Sequence, residues 1–241
     1  PSRIHVGHHS RGCRSFRRPG RAGMMVFRQL RQRAMRLVLL YHGEAEGAAG
    51  RCIGRTDLPL SAHARRQAGQ LADAWPYPPA SLLVASRLQR SRAMIEPFAR
   101  RFGRLPRVEP RLDEMDFGSW EGELWSRLHE SRPADVHAWL ADWVGHAPAG
   151  GECFAEVAER AGRWLAETEA DQGGDGLVLV AGHAGPIRAL VCLALGLPLQ
   201  HALRLALGHG RASALRQRHG RYELSYCNAS RFEASLSGED P

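Results

Sequence analysis

Three apolar runs of strand length, "RLVLLY" (36–41), "SLLVAS" (81–86) and "LVLVAG" (177–182), separated by stretches of helical period, constrain this chain more than anything else in it. Each run is too short for a buried helix and too continuously apolar for a strand with one wet face, so each is expected to be a strand covered on both sides. Strands alternating with helices imply a largely parallel sheet between two helical layers. Near the C-terminus, "RASALRQRHGRYELSYCN" reads as a hairpin closing across His219-Gly220. The expected fold class is therefore α/β: a three-layer α/β/α sandwich, its sheet mostly parallel with one antiparallel edge strand.

The intervening segments carry helix signals. "LSAHARRQAGQLADAW" offers Ser61 as N-cap and places Ala64, Ala68, Leu71 and Trp75 on one face. "RSRAMIEPFARRF" follows the second strand, with Pro97 expected to kink or delimit the helix. "RVEPRLDEMDFGSWEG" reads as a short strand and a loop rich in polar and acidic groups, and residues 123–148 as short helices capping one end of the sheet. "GGECFAEVAERAGRWLAETEA" is amphipathic, with Phe154, Val157, Ala161 and Leu165 on its apolar face. One domain over residues 36–232 is expected, with no internal repeat and a short tail at 233–241.

Composition narrows the function classes. A 44% hydrophobic and 24% charged content is that of an ordinary globular protein. No apolar run approaches the roughly 20 residues of a membrane span, so no membrane association is expected. The net charge of +8 suggests a nucleic-acid binder, but residues 1–36 hold ten Arg and no acid, leaving the remainder slightly acidic. Residues 1–35 are thus read as a disordered or non-native Arg-rich leader, either a targeting peptide or the product of an upstream start before Met35, and nucleic acid is not an expected partner. All 33 basic residues are Arg, which excludes Schiff-base and P-loop lysines. The five cysteines are widely spaced without any C-x-x-C pair, which suggests a reducing, cytoplasmic setting with neither structural disulfides nor a cysteine zinc site.

In an open parallel sheet, ligands bind at the carboxyl ends of the strands. His42 follows the first of the three runs and His183 the last, each beside a small residue, Gly43 and Ala184, that would let an anion approach the backbone. The second run ends in "SRLQR", bringing Arg87 and Arg90 toward the same edge, and Glu114 and Asp116 follow the next short strand. Imidazoles, guanidinium groups and a carboxylate on one edge suit phosphoryl transfer. The imidazole is a nucleophile, the cations offset spreading phosphate charge, and the acid protonates the leaving oxygen.

The order "LVLLYHGEAEG … GRTDLPLS … ASRLQRSRAM … LDEMDFGSWEG … GGECF … VAGHAGPIRAL" resembles the histidine phosphatase superfamily, with its phosphoglycerate-mutase-like fold, over about residues 36–232. Within it, "GRTDLPLS", "LDEMDFGSWEG" and "DWVGHAPAGGECFAEVAER" look most like the α-ribazole phosphatases of cobalamin nucleotide-loop assembly. The resemblance implies a phosphomonoesterase that needs no metal or other cofactor and acts on a small-molecule phosphate ester. His42 would become phosphohistidine, Glu114 would donate the proton, His183 would hold phosphoryl oxygens and Arg90 would clamp the phosphate. Arg55 would lie at the mouth, as a substrate contact or in a salt bridge with Asp57. A homodimer is a common outcome for such folds.

One departure stands out. The family has Arg where this chain has Tyr41, and that Arg contacts the transferring group; Tyr offers one neutral donor in place of a charged fork. Losing a comparable donor costs about 10²- to 10³-fold in rate, so the resemblance implies a weakened enzyme or a non-catalytic phosphate-ligand binder or regulator. Arg87 stands where a proline is common, Met94 where a threonine is, and Cys153 replaces the more usual Ser after Gly-Glu. Arg87 either returns a positive charge to the pocket or is a solvated surface residue.

Overall fold

The computed structural model describes residues 35–172, 176–218 and 220–233. The expectations for the Arg-rich leader and for most of the C-terminal tail fall outside those residues. The elements are β1 (Arg36–Tyr41), α1 (Ala62–Asp73), β2 (Leu82–Ala85), α2 (Gln89–Phe102), β3 (Arg107–Val108), α3 (Trp125–Ser131), α4 (Pro133–Ala141), α5 (Phe154–Gln172), β4 (Leu177–Gly182), α6 (Ala184–Leu195), β5 (Ala212–Arg218) and β6 (Arg221–Ala229). The six strands form one sheet in the order β3-β2-β4-β1-β5-β6. The first four are mutually parallel, β5 runs antiparallel to β1, and β6 pairs antiparallel with β5. The antiparallel edge is thus a two-strand hairpin.

Strand alternation divides the core in two. Leu37, Leu39, Val178 and Val180 face Val157, Ala161 and Trp164 of α5 and Ile187 and Leu190 of α6. Val38, Leu40, Leu179 and Ala181 face Ala64 and Ala68 of α1 and Met94, Ile95 and Phe98 of α2. Both faces are dry, which is why the strands read as continuous apolar runs. Among the described residues, no helix is long and apolar enough to cross a membrane.

Local signals behave as their chemistry dictates, with one exception. Ser61 Oγ accepts from Ala64 N–H at 3.1 Å and caps α1. Helix α2, however, runs through Pro97 to Gly103, whose φ of 61° makes it the terminator. Burial of Met94, Ile95 and Phe98 around the proline outweighs the one backbone bond it removes.

Strand register positions the site. Tyr41 pairs with Gly182 across β1 and β4, and Ala85 pairs with Ala181 across β2 and β4. The residues after these pairs, His42, His183 and Ser86, therefore emerge side by side. Because β5 is antiparallel to β1, with Leu40 opposite Ala212, the chain entering β5 arrives at the same edge.

Candidate active site

His42 and His183 meet as the register requires, with ring centroids 5.0 Å apart and planes at 67°. His42 Nδ1 lies 2.6 Å from the carbonyl of Gly43. A carbonyl only accepts, so the proton sits on Nδ1 and Nε2 carries the lone pair. Arg90 Nε–H donates to that Nε2 at 3.1 Å, in keeping with an unprotonated nitrogen. Burial holds the imidazole neutral, pushing its pKa down to about 3, and the charge of Arg90 adds to the effect. A buried neutral imidazole with its lone pair facing a cleft is a competent nucleophile.

Arg90 is itself buried. Its other nitrogens donate to the carbonyls of Thr56 (2.8 Å) and Gly54 (2.6 Å), which fixes the guanidinium against the His42 ring. His183 is fully buried, with Nε2 2.7 Å from Ser86 Oγ. Its Nδ1 is a buried nitrogen with no hydrogen-bond partner among the described residues. Burial, and then the charges around it, hold its pKa well below the ordinary histidine range.

Glu114 follows the 3₁₀ turn after β3. Its carboxylate accepts from Met115 N–H at 2.9 Å and from Gly185 N–H, at the start of α6, at 3.1 Å. Burial raises its pKa, and these bonds and the charge of Arg90 offset that only in part. A carboxyl whose pKa is raised in this way is suited to serve as an acid. Gly185 is required by space: a Cβ there would lie 2.3 Å from Glu114 Oε1.

Two cavities meet at this carboxylate. One, of about 170 Å³, is lined by Tyr41, His42, Arg51, Arg90, Glu114 and His209. The other, of about 270 Å³, is walled by Phe117, Trp125, Trp139, Trp143 and Phe154, with Arg188 at its side. Arg51, Ile53 and Glu114 line both. Trp139 Nε1 is buried there with no partner among the described residues. The aromatic wall is supplied by the short helices α3 and α4 together with Trp143, Phe117 and Phe154.

The remaining expected residues separate. Tyr41 lines the first cavity, its ring edge-on to His42 at 4.8 Å; burial raises its pKa, so it is a neutral phenol. Ala184 lines the second cavity. Gly43 serves packing, not anion approach, since a Cβ there would meet Ala64 Cβ at 2.4 Å. Arg87 is a correction. Its side chain is half-exposed and pairs with buried Asp113, Nε–Oδ2 2.7 Å. It adds no charge to the pocket.

Arg55 does not form the expected pair with Asp57, which instead accepts from Gln89 N–H. Its Nε donates to the Glu114 carbonyl at 3.0 Å and its Nη2 to Glu152 at 3.1 Å. Arg160 joins the same web, through both Glu152 oxygens at 3.0 Å and the Glu114 carbonyl at 3.1 Å. Glu121 accepts from the backbone N–H groups of Gly54, Arg55, Thr56 and Phe117. Glu121 and Glu152 lie in quoted motifs, but their partners are distant in sequence, so their scaffolding role is not readable there. His209, in "LGHGRA", is a cavity-lining residue that reading the strand carboxyl ends does not find.

Comparison with known proteins gives the family of the chain. Residues 37–230 match the model of the histidine phosphatase superfamily, branch 1. The chain is 35% identical over 189 residues to glucosyl-3-phosphoglycerate phosphatase of Mycobacterium tuberculosis H37Rv, covering 75% of this chain and 84% of that protein. It is 28% identical over 182 residues to adenosylcobalamin/α-ribazole phosphatase of Salmonella typhimurium, covering 75% and 90%. Among solved structures, the α-ribazole phosphatase from Shigella flexneri superposes with a TM-score of 0.77 at 25% identity, over 83% of this chain and 99% of that one. A mycobacterial glucosyl-3-phosphoglycerate phosphatase does so with 0.74 at 32% identity, over 82% and 100%. The family match spans most of the chain and the relatives are named phosphatases, so this chain belongs to the histidine phosphatase superfamily.

Proposed function

We propose that this protein is a phosphomonoesterase that works through a phosphohistidine on His42. His42 Nε2 attacks phosphorus and the P–O bond to the alcohol breaks. Glu114 gives its proton to the departing oxygen. Glu114, now a carboxylate, then takes a proton from water as the water oxygen attacks phosphorus. The P–N bond breaks, releasing phosphate and restoring the imidazole. Arg90 and His183 hold the phosphoryl oxygens. The unpartnered, buried Nδ1 of His183 carries this reading, since a nitrogen left bare inside protein needs a ligand to complete it. If Ser86 O–H donates to Nε2, the His183 proton is on Nδ1, ready for a phosphoryl oxygen.

Substrate choice follows from the cavity beyond Glu114. The departing alcohol must lie on the side of the acid away from His42, where the walls are Trp125, Trp139, Trp143, Phe117 and Phe154. Such walls favour a flat, nucleoside-like alcohol over a sugar acid, whose hydroxyls would face carbon. Between the two substrates named for the relatives, α-ribazole 5′-phosphate is therefore preferred to glucosyl-3-phosphoglycerate. The test is phosphate release from both compounds and from a generic aryl phosphate. The expected order is α-ribazole 5′-phosphate first, with His42→Ala silent on all three. Turnover unchanged in His42→Ala would sink the phosphohistidine route, and a preference for glucosyl-3-phosphoglycerate would sink the substrate assignment.

Tyr41 supports a second reading, a phosphate-ligand binder or regulator without turnover. It would be favoured by phosphate esters that bind tightly and are not hydrolysed even after Tyr41→Arg.

A further inference from the structure

We infer that His209 is a phosphate-binding catalytic residue, supplying at the Tyr41 side of the pocket the positive charge that Tyr41 does not have. The inference rests on the phosphatase reading above and adds a group which that mechanism does not use. His209 reaches the site because β5 enters the sheet antiparallel beside β1. Gly210 N–H donates to the carbonyls of Tyr41 (3.1 Å) and His42 (3.2 Å), pinning the turn to the end of β1. The His209 ring then lies 4.5 Å from the Tyr41 ring, tilted by 30°, and 5.3 Å from the His42 ring.

The hydrogen bond of the ring decides its chemistry. His209 Nδ1 is 3.1 Å from the His42 carbonyl, which only accepts, so Nδ1 carries a proton. The second nitrogen, Nε2, is thus the one that gains a proton when the ring becomes cationic, and His209 lines the cavity that holds His42 and Arg90. A phosphate dianion there would favour the imidazolium and accept a charge-assisted hydrogen bond from Nε2–H. Tyr41 packs against the ring and contributes position, not charge. The other charged or titratable groups around this cavity are His42, Arg51, Arg90 and Glu114, with Arg188 acting on Tyr41 from α6.

Binding of inorganic phosphate, which does not depend on turnover, reads this directly. Calorimetric titration of the full chain should show wild type binding at least tenfold more tightly than His209→Ala. His209→Gln keeps a neutral donor and should fall between the two. Tyr41→Arg in the His209→Ala background should restore affinity. Equal affinity of wild type and His209→Ala overturns the inference. Silence of hydrolysis in wild type with these binding differences intact would instead count against the turnover reading alone.

Discussion

The site contains two polar regions built on opposite rules. In the ring cluster, His42, His183, Tyr41 and His209 pack edge-on or tilted at the sheet edge, and some valences stay open, as at His183 Nδ1. Below it, Arg55, Arg160, Glu121 and Glu152 form a web in which permanent charges saturate one another and the backbone. Burial lowers the affinity of the two core histidines for protons, whereas hydrogen bonds hold the Glu121 and Glu152 carboxyls below the usual range against burial. Unsatisfied groups cost stability and are kept where a ligand completes them; satisfied ones position loops. The cluster should therefore fail in rate, and the web in stability.

Substitutions test that division. The largest effect is expected from Glu114→Gln, which keeps the shape and removes the acid: kcat on an alkyl phosphate should drop by about 10²- to 10⁴-fold with the midpoint of thermal unfolding little changed. Because burial raises the Glu114 pKa, wild-type kcat should decline as pH rises through it, and Glu114→Gln should lose this limb. The loss should be smaller on an aryl phosphate, whose leaving group needs no proton. Equal losses on both esters would argue that Glu114 only shapes the pocket.

Next comes Glu152→Ala, which strips Arg55 and Arg160 of their shared partner. Urea unfolding should show a loss of about 2 kcal/mol, since each arginine loses a charge-assisted hydrogen-bond partner while Arg55 keeps Asp113 and both arginines keep the Glu114 carbonyl. Stability within about 0.5 kcal/mol of wild type would mean that the web is decorative. Ser86→Ala sits between the regions: it frees the His183 ring, and a roughly tenfold lower kcat is expected with about 1 kcal/mol of stability lost. Arg87→Ala should change least, within about twofold in kcat, because its half-exposed side chain leaves Asp113 still facing Arg55 at 3.7 Å.

What could be read from the sequence follows the same line. His42, Arg90, Glu114 and His183 are legible because each follows a strand or starts the segment after one, and parallel strands deliver their carboxyl ends to a common edge. His209 is not, because it precedes an antiparallel strand, and the rule about carboxyl ends looks past it. Arg87 misleads because it sits close to Arg90 in sequence, whereas its partner Asp113 lies 26 residues further along the chain. Glu121 and Glu152 lie in recognisable motifs, yet their duties concern loops far along the chain. Pro97 marks the limit of propensity: the apolar face of α2 decides where that helix runs.

The pairing of Tyr41 with Gly182 also makes the sheet a caliper for the two imidazoles. One residue inserted within β1 would advance His42 by about 3.3 Å and turn its side chain to the opposite face. No side-chain adjustment could span that error. Length changes should thus be forbidden in the six residues of β1, so reading frame along one short strand governs whether the two imidazoles face each other at all.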